Sequence, residues 1–171
     1  MAVRMELARI LIRELNDYQI IELREVAPTH DAEEGESVNG GGAGGTDGGS
    51  APKSPNGVTY SQVENGRAFP IVIGLPEAQA IERRLKGIPI KRPQTHDLLM
   101  SVVEALGGKL ESIHISDLRE HTFFAVLNVR DAHGKLIKID SRPSDAIALG
   151  IASNVPIYVE EKVLDAAEGD E

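Results

Sequence analysis

The chain has 171 residues, which is enough for one folded domain, and it contains no cysteine, which excludes disulfides, thiolate metal sites and cysteine nucleophiles. The formal net charge of −9 does not exclude a nucleic-acid partner, because residues 60–159 carry twelve Lys and Arg against eleven Asp and Glu. Charges at Arg4, Glu6 and Arg9 interrupt the first apolar run, so we expect no signal peptide, no membrane partner and a cytoplasmic location.

The first predicted element is a β-hairpin. Residues 3–15 and 18–26 are rich in Ile, Leu and Val, as strands are. Between them, Asn16 and Asp17 form a two-residue turn signal. We therefore expect two antiparallel strands at the N-terminus.

Residues 28–57 differ abruptly from the hairpin. They contain almost no apolar side chain, and the run from Asn39 to Ser50 is mostly glycine. Such a segment cannot bury enough surface to offset the entropy of ordering, so we expect a disordered insert. The predicted organisation is a hairpin over 1–27, the glycine-rich insert over 28–57, a folded core over 58–164 and an acidic tail over 165–171.

Two helices are predicted after a strand over residues 67–73. The first begins at Pro76 and ends at Gly87. The second begins at Thr95 and ends at Gly107. Its apolar residues share one helical face, and we expect that face to be buried. They are Leu98, Leu99, Val102, Val103 and Leu106.

The second half of the chain is predicted to alternate strands with helices. Predicted strands cover 110–118, 121–130, 135–140 and 156–159, and predicted helices cover 144–152 and 160–167. Antiparallel hairpins with helices inserted between them indicate the α+β class. We therefore expect a single compact domain with a mixed, mainly antiparallel sheet.

Two of the predicted helices start with nearly the same sequence. Each start contains an arginine, a proline, a hydroxyl residue and an aspartate: Arg92, Pro93, Thr95 and Asp97 in one, and Arg142, Pro143, Ser144 and Asp145 in the other. We expect the two hydroxyls to cap the helices and the aspartates to complement the helix dipole. The arginines need an anion beside that positive helix end. An internal carboxylate such as Asp140 or Asp97, or a phosphate, would provide it.

Residues near these two starts suggest a site for phosphodiester cleavage. The predicted catalytic residues are His96, Asp97, Asp140 and Asp145, and the predicted phosphate-binding residues are Arg92, Arg142, Thr95 and Ser144. The three aspartates are the type of ligand that holds a divalent ion such as Mg²⁺ or Mn²⁺, and a histidine transfers protons. Spacing alone leaves open whether these residues meet in space.

Four segments of the chain together resemble the bifunctional nuclease family of bacteria and plants. They are Phe69–Gly74, Glu77–Ile81, Arg92–Leu99 and Asp140–Leu149, followed by Pro156–Val159. The resemblance runs from about Arg67 to Leu164. It implies a compact α+β domain, a homodimer, and nuclease activity on both DNA and RNA.

Three functions remain open from the sequence. The leading one is a nuclease of low sequence specificity that acts on DNA and RNA. The second is a non-enzymatic module, binding an anion or metabolite or acting in regulation, with the two arginine-containing helix starts as its site. The third is a protein-interaction domain that uses the acidic C-terminal helix. The near-neutral charge of residues 60–159 slightly favours the second over the first.

Overall fold

A computed structural model describes residues 1–13, 15–29 and 57–168 of the chain. The described residues form one α+β domain with a mixed, mostly antiparallel sheet, which confirms the predicted fold class. Nearly all of the predicted insert, from residue 30 to residue 56, lies outside the described residues, as do residues 169–171 of the predicted acidic tail.

The described residues contain eight strands and four helices. The strands are β1 (Ala2–Leu11), β2 (Tyr18–Pro28), β3 (Tyr60–Gln62), β4 (Ala68–Gly74), β5 (Lys109–Arg119), β6 (Thr122–Arg130), β7 (Leu136–Ser141) and β8 (Ile157–Glu160). The helices are α1 (Leu75–Leu85), α2 (Thr95–Ala105), α3 (Pro143–Ser153) and α4 (Glu161–Glu168). In this part of the chain, no helix is long and apolar enough to cross a membrane.

The sheet has the order β3-β2-β1-β8-β5-β6-β7, and β4 pairs with β2 beside β3. Among the described strands, β5 and β8 form the only parallel pair. Strand β1 lies between β2 and β8, so the N-terminal hairpin belongs to the same sheet as the rest of the domain. Strand β3 was not predicted. Helix α4 continues to Glu168, beyond the predicted start of the acidic tail.

The core lies on one face of the sheet. Met5, Ile157, Ile113 and Leu127 are neighbours across β1, β8, β5 and β6, and each is at most 8% exposed. Helices α1 and α3 pack against each other, and α3 covers β5 and β6. Each fully buried aliphatic side chain of this size contributes about 1.5–3 kcal/mol to folding. This packing places the beginnings of α1 and α3 near each other at one end of the sheet.

The connection between β1 and β2 is longer than the predicted two-residue turn. β1 ends at Leu11 and β2 begins at Tyr18. The side chain of Gln19 closes the connection: its Nε2 donates to the backbone oxygens of Arg13 (3.0 Å) and Asn16 (2.9 Å), and its Oε1 accepts from the Arg13 N–H. Gln19 is 1% exposed. A buried amide therefore satisfies the backbone groups that a tight turn would have paired internally.

We expect Gln19→Leu to lower the free energy of unfolding by about 2 kcal/mol. The change removes the partner of the Arg13 N–H and of the Asn16 carbonyl, and it leaves the Arg13 carbonyl with the Asn16 N–H alone. Urea denaturation of both proteins measures the change. Gln62→Leu, at an exposed position in β3, is the control and should change the free energy of unfolding by less than about 0.5 kcal/mol. Equal stability of the wild type and Gln19→Leu would show that the side chain does not support the connection.

The predicted buried face of α2 is largely exposed, so this prediction was wrong. Leu98, Leu99, Val102 and Leu106 are 56%, 45%, 44% and 78% exposed. Met100 is the residue of α2 that is buried, because the helix packs on α3 and β5 through its other side. The apolar periodicity was read correctly as a helix, but this chain alone does not cover that face.

Candidate active site

The N-terminal ends of three helices meet at one end of the domain. α1 contributes Glu77, α2 contributes His96, and α3 contributes Asp145 together with its N-cap residue Arg142. His96 Nε2 lies 3.2 Å from Asp145 Oδ1, and Arg142 Nη2 donates to Glu77 Oε1 at 3.0 Å. We call these four residues the helix-start cluster.

The helices begin differently from the sequence prediction. Pro143 is the first residue of α3, since its fixed φ suits that position and its missing N–H is not needed there. Ser144 is therefore second, not the N-cap, and is 8% exposed. In α2 the N-cap is Gln94, whose backbone N–H donates to Asp97 Oδ2 at 3.2 Å. Thr95 is thus the first helical residue, and Asp97 supports the helix start instead.

Arg142 is held by two carboxylates. Its Nε donates to Asp145 Oδ2 at 2.7 Å, and its Nη2 donates to Asp145 Oδ1 and to Glu77 Oε1, both at 3.0 Å. The hydrogen bonds with Asp145 and then with Glu77 raise the pKa of Arg142. The internal anions that bind this arginine are therefore Asp145 and Glu77, not the predicted Asp140 or Asp97. Among the described residues, Nη1 of Arg142 has no hydrogen-bond partner, and the side chain is 67% exposed.

His96 and Asp145 form a histidine–carboxylate pair. With its proton on Nε2, the ring donates to Asp145 Oδ1 and keeps Nδ1 free to accept a proton. The His96 side chain is 21% exposed, and that of Asp145 is 30% exposed. The second oxygen of Asp145 binds Arg142, so the carboxylate fixes the relative positions of the imidazole and the guanidinium.

The pKa of the Asp145 carboxyl lies below its ordinary value. Burial acts to raise it, but hydrogen bonds from Arg142 and His96 outweigh burial. The unfolded chain therefore takes up the proton first as the pH falls, and the stability contributed by Asp145 is lost below about pH 4.

We accordingly expect the difference in urea midpoint between wild type and Asp145→Asn to be largest near neutral pH and to shrink as the pH falls through 4 toward 2. Urea titrations at pH 7, 5, 4 and 3 measure it. A difference that stays constant over this range would show that the ionised carboxylate of Asp145 does not stabilise the fold.

Two open grooves lie on either side of the helix-start cluster, and His96, Arg142, Asp145 and Thr95 line both. One, of about 600 Å³, is the β7 groove; its other lining residues include Leu99, Phe124, Leu127, Ile139 and Asp140. The other, of about 420 Å³, is the α1 groove; its other lining residues include Pro76, Glu77, Gln79, Arg83 and Gln94. An extended ligand in either groove would contact the histidine and the arginine.

The remaining predicted site residues are more scattered. Asp97 faces Arg84, with its Oδ1 3.8 Å from Nη2. Arg92 is exposed in the connection between α1 and α2, and its guanidinium makes no hydrogen bond or ion pair within the described residues. Ser144 is buried and does not line either groove.

The three aspartates predicted to hold a metal ion do not converge. Within residues 1–13, 15–29 and 57–168, no three His, Asp or Glu side chains are arranged to bind one ion. Asp145 is engaged by Arg142 and His96, and Asp97 by the start of α2. Asp140 lines the β7 groove without an ion-pair partner among the described residues.

The sequence prediction did not include Glu77 in the site. In the sequence analysis it appears only as the first residue of Glu77–Ile81, one of the segments that carry the family resemblance. Its side chain is 15% exposed, and its Oε2 would lie 2.4 Å from a Cβ added at Gly74. One signal in the sequence could have identified it. Like Asp97 and Asp145, Glu77 is an acid in the first turn of a helix, and this helix directly follows a strand. The convergence of the three starts was not visible in the sequence.

Comparison with known proteins adds the following relationships. The family model of the bifunctional nuclease domain matches residues 58–171. Uncharacterized proteins from two strains of Mycobacterium tuberculosis are each 42% identical over 106 residues, or 62% of this chain and 62% of theirs. Bifunctional nuclease 2 of Arabidopsis thaliana is 24% identical over 127 residues, or 71% of this chain and 38% of that protein. The chain thus matches less than two thirds of the length of these relatives, and the helix-start cluster lies inside the matched family range.

Proposed function

The chain belongs to the bifunctional nuclease family, and from that premise we propose that it hydrolyses phosphodiester bonds in DNA and RNA with low sequence specificity. One observation carries this proposal: His96, Asp145 and Arg142 are joined at the point where two open grooves meet. A proton acceptor, its orienting carboxylate and a guanidinium are the groups that phosphoryl transfer by water requires.

In the proposed reaction His96 acts as the general base. Its Nδ1 takes a proton from a water molecule whose oxygen forms the new bond to phosphorus. The bond from phosphorus to the leaving oxygen breaks, and that oxygen takes a proton from solvent. Asp145 holds the imidazole and stabilises its positive charge after proton transfer. His96 then returns its proton to solvent, so the net reaction consumes one water.

Arg142 is proposed to bind the phosphate that is attacked. Its Nε and Nη2 are fixed by Asp145 and Glu77, which leaves Nη1 to donate to a phosphoryl oxygen. Contacts of this kind are made to the backbone of the nucleic acid and carry no sequence information, which fits low specificity. We propose that Thr95 binds the same phosphate and that the exposed Arg92 binds a phosphate further along the strand. Ser144 would require a movement of α3 to take part.

A divalent ion, Mg²⁺ or Mn²⁺, remains part of the expectation from sequence. The positions of Asp97, Asp140 and Asp145 do not form a ready site for it among the described residues. Asp140 is the member of this group that lines the β7 groove and has no ion-pair partner among the described residues. The proposed steps therefore use only His96, Asp145 and Arg142.

A non-enzymatic module that binds an anion or metabolite is the second candidate. It is favoured by the charge of the helix-start cluster, in which Glu77 and Asp145 outnumber Arg142. This balance disfavours the approach of a polyanion and leaves little positive charge for a developing transition state. A small anion that contacts Nη1 of Arg142 alone would meet less repulsion.

Cleavage assays separate the two candidates. Highly purified protein is incubated with labelled single-stranded DNA and RNA, with and without EDTA, and in EDTA followed by excess Mg²⁺ or Mn²⁺. Cleavage of both substrates supports the nuclease, and loss in EDTA with recovery on metal addition would establish the ion. No cleavage, together with saturable binding of inorganic phosphate by calorimetry, would favour the second candidate. Equal cleavage by wild type and a His96 variant would show that His96 does not carry the measured activity.

We also propose that the protein acts as a homodimer in the cytoplasm. The homodimer is supported by the exposed apolar face of α2, which a second chain would cover. The cytoplasmic location is supported by the absence of cysteine, which suits a reducing compartment.

A further inference from the structure

Strand β7 is an edge strand with an apolar face. Its order in the sheet is last, and within the described residues it pairs only with β6. Ile137 and Ile139 point to the same face as the buried Val129 and Leu127 beside them, but are 39% and 41% exposed. An edge with free backbone groups and aliphatic side chains is a surface that pairs readily with another strand.

The exposed face of α2 continues this surface. Leu98, Leu99, Val102 and Leu106 lie on one side of the helix, and Leu99 lines the β7 groove together with Ile139. Exposed apolar side chains scattered singly need no explanation, but six on two elements that line the same groove are typical of an interface. We call these six residues the α2–β7 patch.

The charges on the other face of β7 indicate which partner fits. The sequence of β7 is Leu136-Ile137-Lys138-Ile139-Asp140-Ser141. Ile139 is therefore preceded by a cation, Lys138, and followed by an anion, Asp140. We propose that a second copy of this chain pairs its β7 antiparallel with this one, across a two-fold axis at Ile139. Lys138 of each protomer then lies opposite Asp140 of the other, and the two copies of Ile139 face each other.

The charge pattern selects this register over its neighbours. An axis at Lys138 would place two lysines directly opposite, and an axis at Asp140 would place two carboxylates opposite; each arrangement is destabilising. An axis at Ile139 produces two opposite-charge pairs. Because this axis is perpendicular to the sheet, the α2 helices of both copies lie on the same face of a continuous sheet, where their exposed stripes can pack together.

The dimer would also complete the groove. Ile139 and Asp140 line the β7 groove beside His96 and Asp145, so the strand of the partner would form its outer wall. The two grooves would adjoin at the two-fold axis and form one longer binding surface. This inference deepens the homodimer in the proposed function and rests on it. Oligomeric state is measured separately from cleavage, so the failure of one proposal is distinguishable from the failure of the other.

The test is charge reversal at the proposed pairs. Sedimentation equilibrium at low salt is measured for wild type, Lys138→Glu, Asp140→Lys and the double variant. Each single change places like charges opposite each other twice, and we expect the dimer dissociation constant to rise at least about tenfold. The double variant restores both pairs in reversed order and should return within about threefold of wild type. Circular dichroism of the monomeric fractions checks that each variant is folded.

A second pair of variants tests the apolar part. Val102→Lys changes the α2–β7 patch. Its control is Val72→Lys, which changes an exposed valine on β4, the strand at the opposite side of the sheet. We expect Val102→Lys to give a monomer and Val72→Lys to leave the dimer intact. The proposal would be overturned by a wild-type chain that stays monomeric at about 100 μM, by dissociation in Val72→Lys instead, or by a double variant no better than either charge reversal. With a monomeric wild type, the α2–β7 patch would have to be assigned to the binding of a different protein.

Discussion

Replacement of His96 by glutamine is expected to lower the rate of cleavage of both DNA and RNA by about 10²–10⁴-fold, the usual contribution of a general base. Glutamine can still donate a hydrogen bond to Asp145, so the link between α2 and α3 is kept. It cannot accept a proton from water. Both activities should fall together, because one histidine serves both substrates in the proposed reaction.

The measurement is the initial cleavage rate on labelled single-stranded DNA and RNA, with His133→Gln as the matched control. His133 lies in the turn between β6 and β7, is exposed, and does not line either groove. That variant should cleave at the wild-type rate. If His96→Gln cleaves as fast as His133→Gln, the helix-start cluster is not the site of proton transfer. The melting temperatures of both variants should lie close to that of wild type.

Local patterns in the sequence were sufficient to predict most of the fold. The alternation in β5 places Ile113 and Ile115 on the buried face, and both are 0% exposed in the structure. Proline and glycine marked the helix ends because their backbone restrictions act locally: α1 begins beside Pro76 and ends just before Gly87, which has a φ of +61°. Such signals depend on neighbours in sequence, so one chain is enough to show them.

Long-range contacts were not predictable in the same way. Gln19 reads as an ordinary polar residue at a strand start, yet its amide closes the connection from β1. Glu77 and Arg142 are 65 positions apart, and no local pattern pairs them. Of the predicted site, His96, Asp145 and Arg142 lie in contact with one another. Asp97 does not join them, because the start of α2 and Arg84 engage its carboxylate.

The exposed stripe of α2 illustrates a further limit. Periodicity shows that one face of a helix is apolar, and it does not show which molecule covers that face. Leu98 and Leu106 were assigned to the core on this basis, but they are more than half exposed. If two copies pair through β7, the same pattern describes burial between chains. The apolar face of α2 would then be buried, as its periodicity predicts, but by a second chain and not by the core of the same chain.

The second large effect is expected at Arg142. Replacement by lysine keeps one positive charge. The single ammonium group of lysine cannot, however, reproduce the contacts of Arg142 with both Asp145 and Glu77 and also donate to a phosphate. We expect kcat for DNA and RNA cleavage to fall by about 10²–10³-fold, the usual loss when one transition-state donor is removed. Lysine leaves the net charge unchanged, so the salt dependence of nucleic-acid binding should remain close to that of wild type.

Arg9→Lys is the control that separates this role from the loss of an ion pair. Arg9 binds Glu22 through Nε (3.1 Å) and Nη2 (2.8 Å), and its side chain is 62% exposed against 67% for Arg142. Arg9 lies on β1, away from both grooves. Each change weakens a comparable exposed ion pair, so the two variants should lose similar stability, at most about 1 kcal/mol. If both variants also lose the same fraction of activity, the effect at Arg142 is structural. The proposal that Arg142 contacts the phosphate directly would then be wrong.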